Sequence, residues 1–232
     1  MSGQELIVLA HEPPWLRQRR LLALAVVAAV AVALMLGVAE CVRQRQVAST
    51  QHPPWIYGVP DVRFTVVEFA DLECTYCRTY FPMLRAWVDA HPDVNWEWRH
   101  LPLANHEPAA TQAARLAECA GAVGGPPLFW RTVEWLYGHP GQSARLPQAL
   151  YRRTDRAAIQ ACLQTDRPDT IVRRQAAEAA HDAIAATPTL RLIDRRLGRS
   201  VTLTGLVPPD ALSSAIDGLA VPSETLSASD ER

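Results

Sequence analysis

The longest hydrophobic run in the chain is LLALAVVAAVAVALMLGVA, residues 21–39, nineteen positions without a charge. At ~1.5 Å per residue a helix of that length reaches about 28 Å, the thickness of a bilayer's hydrocarbon core, so one transmembrane helix is predicted here. Arg17, Arg19 and Arg20 precede it and Arg43 and Arg45 follow it. That bias weakly favours residues 1–20 as a cytoplasmic leader. Gly37 and Ala39 form a small-x-small pattern, so a cleaved signal peptide is the rival reading. The run is longer than an ordinary signal core, and the retained anchor is preferred. Cys41 follows a glutamate, which is wrong for a lipoprotein site, and reads as a juxtamembrane free thiol. Trp15 and Trp55, each after a Pro-Pro pair, are expected at the two membrane interfaces. Residues 40–56 are polar and aperiodic and read as a linker, residues 57–220 as a folded domain, and residues 221–232 as a loose tail.

Within the domain the periodicity alternates. RFTVVEFA, residues 63–70, is β-branched and aromatic with almost no polar interruption, as a central strand covered on both faces should be. In VNWEWRHL, residues 94–101, Val94, Trp96 and Trp98 fall on one face and Asn95, Glu97 and Arg99 on the other, a strand of period two. Between them Tyr76, Tyr80, Met83, Leu84 and Trp87 recur at three and four, predicting a helix over 75–90 that Pro82 should kink. From about 106 to 186 the pattern is wholly helical, in four segments punctuated by Gly124-Gly125-Pro126-Pro127, GHPG at 138–141 and Pro168. TLRLID and SVTLTG then predict a hairpin, and PPDALSSAIDGL a last helix opened by prolines. The order β-α-β, four helices, β-β-α predicts one α/β domain with a helical module inserted in its middle.

Composition narrows the chemistry. The 232 residues carry a net charge of −1 and a pI near 6.7, so nothing draws the chain to nucleic acid. All 23 basic residues are arginine, a compositional bias rather than a phosphate-binding adaptation. No nucleotide, haem or phosphate motif occurs, and chemistry without a cofactor is expected.

The candidate chemistry sits in EFADLECTYCRTYFPML, residues 68–84. Cys74 falls at the first turn of the predicted helix, where unpaired backbone N–H groups and the positive end of the macrodipole stabilise a thiolate. Cys77 lies one turn deeper, within disulfide reach. The pair therefore has an attacking and a resolving member. Asp71 and Glu73 oppose ionisation, Arg78 favours it, and the helix terminus is expected to carry most of the stabilisation. Glu68, six residues before Cys74 in an otherwise buried run, would have a raised pKa and could exchange a proton with Cys77. The alternative is a solvated edge position. A C-x-x-C alone also fits a zinc half-site or an inert structural disulfide. Cys119 and Cys162 are 43 residues apart and neither His100 nor His106 has ligand spacing to a cysteine, so no metal site is assigned.

The segments VVEFADLECTYCRTYFPML, WEWRHLPL, AARLAECAG, FWRTVEWLY and ATPTLRLI together resemble the DsbA-like thiol:disulfide oxidoreductases of the thioredoxin superfamily. The likeness runs along about 57–220. It implies a thioredoxin-like α/β fold with an inserted all-helical subdomain, here preceded by the transmembrane helix. It also implies Cys74 as nucleophile, Cys77 as resolving thiol, Glu68 as buried acid and Pro188 as the cis-proline facing the disulfide. Thr187, which precedes that proline, is expected with Thr75 and Tyr76 to face the substrate. Where many relatives carry proline or histidine between the cysteines, this chain has Thr75 and Tyr76, and these set the potential.

The implied activity is disulfide donation to, or exchange with, the cysteines of exported proteins, by a single-pass inner-membrane protein whose domain faces the periplasm. A membrane redox partner is implied, either a DsbB-like quinone-linked oxidase or a reductase. A reductase or isomerase using the same site is the alternative, and a non-catalytic binding or holdase module with structural cysteines is a second. Cys119 and Cys162 lie in the inserted helices. They read either as small buried apolar residues or, in an oxidising compartment, as a structural disulfide, and the bridge is preferred.

Overall fold

A computed structural model describes residue 19 and residues 21–28, 30–37, 54–144 and 147–221. Of the predicted transmembrane segment, residues 21–28 and 30–37 are helical. Among the described residues, from which residue 29 and residues 38–53 are missing, no helix is long and apolar enough to cross a membrane. Trp15, Cys41, most of the expected linker and the tail from residue 222 also lie outside the described residues.

The domain is built on a five-stranded sheet of β1 (Ile56–Tyr57), β2 (Phe64–Ala70), β3 (Val94–His100), β4 (Thr189–Asp194) and β5 (Arg199–Thr204) in the order β1-β3-β2-β4-β5. β2 pairs in parallel with β3 and antiparallel with β4, so it occupies the centre. Helix α1 (Thr75–Asp89) makes the crossover from β2 to β3, and continues through Pro82. The hairpin of β4 and β5 follows the insert, and α5 (Pro209–Ala220) closes the domain. In between lie α2 (Ala109–Gly138), α3 (Arg153–Leu163) and α4 (Arg167–His181). α2 is two helices joined at Gly125, whose φ of 68° is the left-handed region that glycine adopts without a Cβ clash, and Pro126 and Pro127 start the second half.

Every residue of β2 is buried because both its faces are covered. Phe64, Val66 and Ala70 point into the larger core with α1, α2 and α5. Val67 and Phe69 point the other way, into a smaller cluster with Leu101, Ala179 and Ile184. By the same alternation Glu68 lies on the side of α1 and the larger core. On α1 the buried stripe is Cys77, Tyr80, Phe81, Leu84, Trp87 and Val88. Tyr76, which shares the aromatic spacing, is 65% exposed, and the buried phase starts one residue later, at Cys77.

Trp55 corrects the sequence reading. Expected at a membrane interface at the end of the linker, it has no exposed surface and stacks on Phe129 with ring centroids 5.4 Å apart. Its indole N–H donates to Glu118 Oε1 at 2.9 Å, and a Cβ on Gly121 would stand 2.5 Å from the ring. The position admits only glycine because the Trp55 ring occupies the space a side chain would take. Glu118 is also fully buried, 3.3 Å from His100 Nε2. Trp98 donates its indole N–H to His100 Nδ1 at 3.0 Å, which leaves the imidazole proton on Nε2, facing the carboxylate. The start of the domain is thus tied to α2 and β3 through one buried polar cluster.

Cys119 of α2 and Cys162 of α3 are joined in a disulfide, with Cα atoms 5.7 Å apart. The expected bridge is therefore present, and it pins α3 against the helix that carries Glu118. Opening it in a Cys119→Ser/Cys162→Ser variant frees a loop of 43 residues in the unfolded chain. The chain-entropy account puts the loss at about 4 kcal/mol. We expect a lower urea midpoint than that of the parent under non-reducing conditions, and no difference between the two once both are reduced.

Candidate active site

Cys74 is the N-cap of α1, with φ −72° and ψ 123°, and its own N–H donates to Asp71 O at 3.1 Å. The turn formed by Asp71, Leu72 and Glu73 thus delivers the sulfur to the open end of the helix. Both Cys74 and Cys77 are free thiols in this structure, and Cys77 is the more deeply buried. Across from them the peptide bond between Thr187 and Pro188 is cis, and the Cys74 sulfur lies 3.5 Å from the Thr187 carbonyl oxygen. The Pro188 carbonyl is in turn held by Gly205 N–H at 2.8 Å, which links this turn to the end of β5. Cys74, Cys77, Glu68, Thr187 and Pro188 are therefore brought together from three separate parts of the sequence. Thr75 and Tyr76 stand on the solvent side of the same helix turn.

The two thiols are electrostatically unlike. The Cys74 thiol is pushed down to about 5, first by a hydrogen bond from the Cys77 thiol and then, against the cost of burial, by Thr187 and the backbone N–H groups of Cys77 and Tyr76. The backbone N–H groups of the helix's open end, expected to stabilise the thiolate, thus act beside the neighbouring thiol. Arg78, expected to assist, points its guanidinium at Thr75 Oγ1 at 3.3 Å. The Thr187 hydroxyl is buried and has no hydrogen-bond partner of its own.

Cys77 moves the opposite way. Donating to Cys74, burial and the nearby Glu68 charge all hold it in the thiol form. Glu68 itself rises to about 8, chiefly by burial, with the Cys74 thiolate adding to the rise. The Trp96 indole N–H opposes the rise by proximity, but the two do not make a full hydrogen bond, since both Trp96 Nε1 and Glu68 Oε2 lack partners. The solvated edge reading of Glu68 is thereby replaced by a buried carboxyl on the central strand. An ionised sulfur beside a protonated one, with a carboxyl that titrates near neutrality behind them, is an arrangement suited to thiol–disulfide exchange.

Asp71, Glu73, His106 and Tyr137 also shape the site, and no regular spacing in the sequence joins them. Asp71, fully buried, accepts hydrogen bonds from Glu73 N–H and from the loop after β3. His106 is in that loop, and its Nδ1 lies 2.8 Å from Asp71 Oδ2. Tyr137 of α2 directs its hydroxyl at Asp71 O, and Glu73 holds Gly141 N–H at 3.1 Å, so the insert grips the active-site turn at two points.

Comparison with known proteins fixes the family. The thioredoxin family model, described as "Thioredoxin", matches residues 50–217. The chain is a DsbA-like member of the thioredoxin superfamily. The DsbA2 structure of Pseudomonas aeruginosa is 40% identical with a TM-score of 0.65, over 72% of this chain and 94% of that one. A thioredoxin-like oxidoreductase of Silicibacter pomeroyi is 25% identical with a TM-score of 0.59, over 73% and 95%. Among curated proteins, the Na+/H+ antiporter NhaA 1 of Salinispora arenicola is 30% identical over 189 residues, 78% of this chain and 27% of the relative. NhaA 3 of Salinispora tropica is 32% identical over 169 residues, 70% and 25%. The DsbA-like chain spans about a quarter of the length of these relatives.

The raised pKa of Glu68 has a consequence for stability. The folded state holds this proton up to about 8, while the unfolded chain gives it up near 4.5. Stability is therefore lost as pH rises from the lower value to the higher. A Glu68→Gln variant should be more stable than the parent at pH 7 by a few kcal/mol, of the order that this shift implies. The gain should vanish below pH 4, as read by urea unfolding at the two pH values.

Proposed function

We propose that this enzyme donates the Cys74–Cys77 disulfide to pairs of thiols in exported proteins, from a domain held at the outer face of the cytoplasmic membrane. In the first step a substrate thiolate attacks Cys74 and Cys77 leaves as a thiolate, taking a proton by way of Glu68. A second substrate thiol then attacks its own sulfur in the mixed disulfide and releases Cys74 as a thiolate. The substrate leaves with a disulfide and the enzyme as a dithiol. The cis turn at Thr187–Pro188, beside the Cys74 sulfur, is the surface on which an extended substrate segment would lie, with Thr75 and Tyr76 on the other side.

The observation that carries the direction is the Cys74 thiol at about 5. A stabilised thiolate makes the dithiol the favoured form, so the disulfide is a strong oxidant. Two electrons taken from each substrate must leave the enzyme again, and a membrane partner of the DsbB-like, quinone-linked kind is the acceptor we propose. The reductase or isomerase reading keeps the same sulfur chemistry and needs a partner that supplies electrons. Equilibration with glutathione separates them. We expect a potential more oxidising than about −180 mV, whereas a value near −270 mV would assign the chain to the reductive side.

Cys77→Ala removes the resolving thiol. Mixed disulfides through Cys74 should accumulate in cells as reduction-sensitive bands, and an unbanded lane would remove Cys74 from the nucleophile's role.

Support for the membrane location comes from the uncharged segment 21–39 and from the curated relatives, which are named for ion exchange across a membrane. The chain should stay with carbonate-washed membranes, and protease added to spheroplasts should remove the domain. Release by carbonate would reject the anchor, and protection of the domain would reject its orientation.

A further inference from the structure

The carboxylate of Asp71 is withdrawn from solvent, and each of its oxygens is engaged. One accepts Glu73 N–H at 2.7 Å; the other accepts Leu103 N–H at 2.8 Å and His106 Nδ1–H at 2.8 Å. The backbone carbonyl of the same residue accepts the N–H of Cys74. One residue therefore joins the turn that presents the reactive sulfur to the loop after β3. The imidazole is where this chain of contacts meets solvent, its side chain about a quarter exposed.

We propose that His106, held by Asp71, is a positioning residue through which solvent protons adjust the stability of the Cys74 thiolate, and hence the redox poise of the Cys74–Cys77 pair. The proposal deepens the reading of Cys74 as the reacting sulfur and rests on it.

The charges around the imidazole favour its protonated form. Facing it are Asp71, Glu73 and Cys74, and together they raise it above the ordinary histidine value, with the Asp71 hydrogen bond first and burial opposing. The adjacent Glu107 carboxylate is turned to the N–H and hydroxyl of Thr111, and Arg78 to Thr75. Of the three facing groups Cys74 is the one whose charge depends on the redox state. As a disulfide it is neutral; in the dithiol, above about pH 5, it carries a negative charge. The imidazole must then bind its proton more tightly in the reduced enzyme, and by reciprocity its charge must favour reduction.

The electron and proton count follows. The enzyme disulfide and two glutathione thiols give the Cys74 thiolate, the Cys77 thiol, one glutathione disulfide and one released proton. Between the His106 pKa values of the two redox forms, the imidazole takes up part of that proton. The equilibrium should depend on pH by less than one proton in that window.

The imidazole resonances of the uniformly 15N-labelled enzyme, titrated by NMR in both forms, test this directly. The His106 pKa should be higher in the dithiol by about half a unit, roughly a threefold effect for a charge acting across an intervening carboxylate. In His106→Gln the glutathione equilibrium should move about threefold toward the disulfide at pH 6, or about 14 mV for two electrons, and recover a slope of one full proton. An identical His106 pKa in the two forms would overturn the proposal, and does so without any variant having to fold. If Cys74 still titrates near 5 in that case, the reacting-sulfur reading survives and only the role of His106 is lost. An ordinary Cys74 thiol together with no trapping by Cys77→Ala would remove the underlying reading instead.

Discussion

The electrostatic coupling of the Cys77 thiol to the Cys74 sulfur is the interaction on which the chemistry depends. It makes two identical side chains opposite in character, one held ionised and the other held protonated. That asymmetry needs a fixed separation of one helical turn and a sulfur at the helix's open end, where backbone donors have no intrahelical partner. It also needs a wall. Cys77 can only be a donor of fixed direction because the sheet and the larger core exclude water from it.

The wall is the central strand. β2 is covered on both faces, and the glutamate in its middle cannot reach solvent from there. In most cores an acid at such a place would be a defect, costing several kcal/mol as a charge. Here its displacement to about 8 puts a proton donor and acceptor behind the thiol that must gain and lose a proton. The neutral form resides comfortably among apolar neighbours, and the charged form is transient. Stability is lowered at neutral pH in return for a usable proton.

The periodicity of the chain made most of this arrangement legible. The alternation in VNWEWRHL, the uninterrupted run before the cysteines and the three-and-four spacing after them were enough to set out β2, α1 and β3 in order. Glu68 could be read because a single acid in a solid apolar run has few places to go. What could not be read depends on contacts between distant segments. Trp55 follows a polar stretch and looks like the end of a linker, and only the slot made by Gly121, Phe129 and Glu118 makes it a core residue. The phase of α1 is less legible, because a stripe of aromatics fits more than one phase and the buried one begins at Cys77, leaving Tyr76 outside it. Asp71 and His106 are 35 positions apart and share no pattern, so their contact emerges only once β2 and β3 lie side by side.

The covalent link between α2 and α3 places the molecule in an unusual relation to its own chemistry. Both sulfurs of that link leave the ribosome unjoined, and a two-electron oxidant has to close it before the helical insert gains its full tightness. Under the proposed activity the chain would be a client of disulfide transfer as well as a supplier.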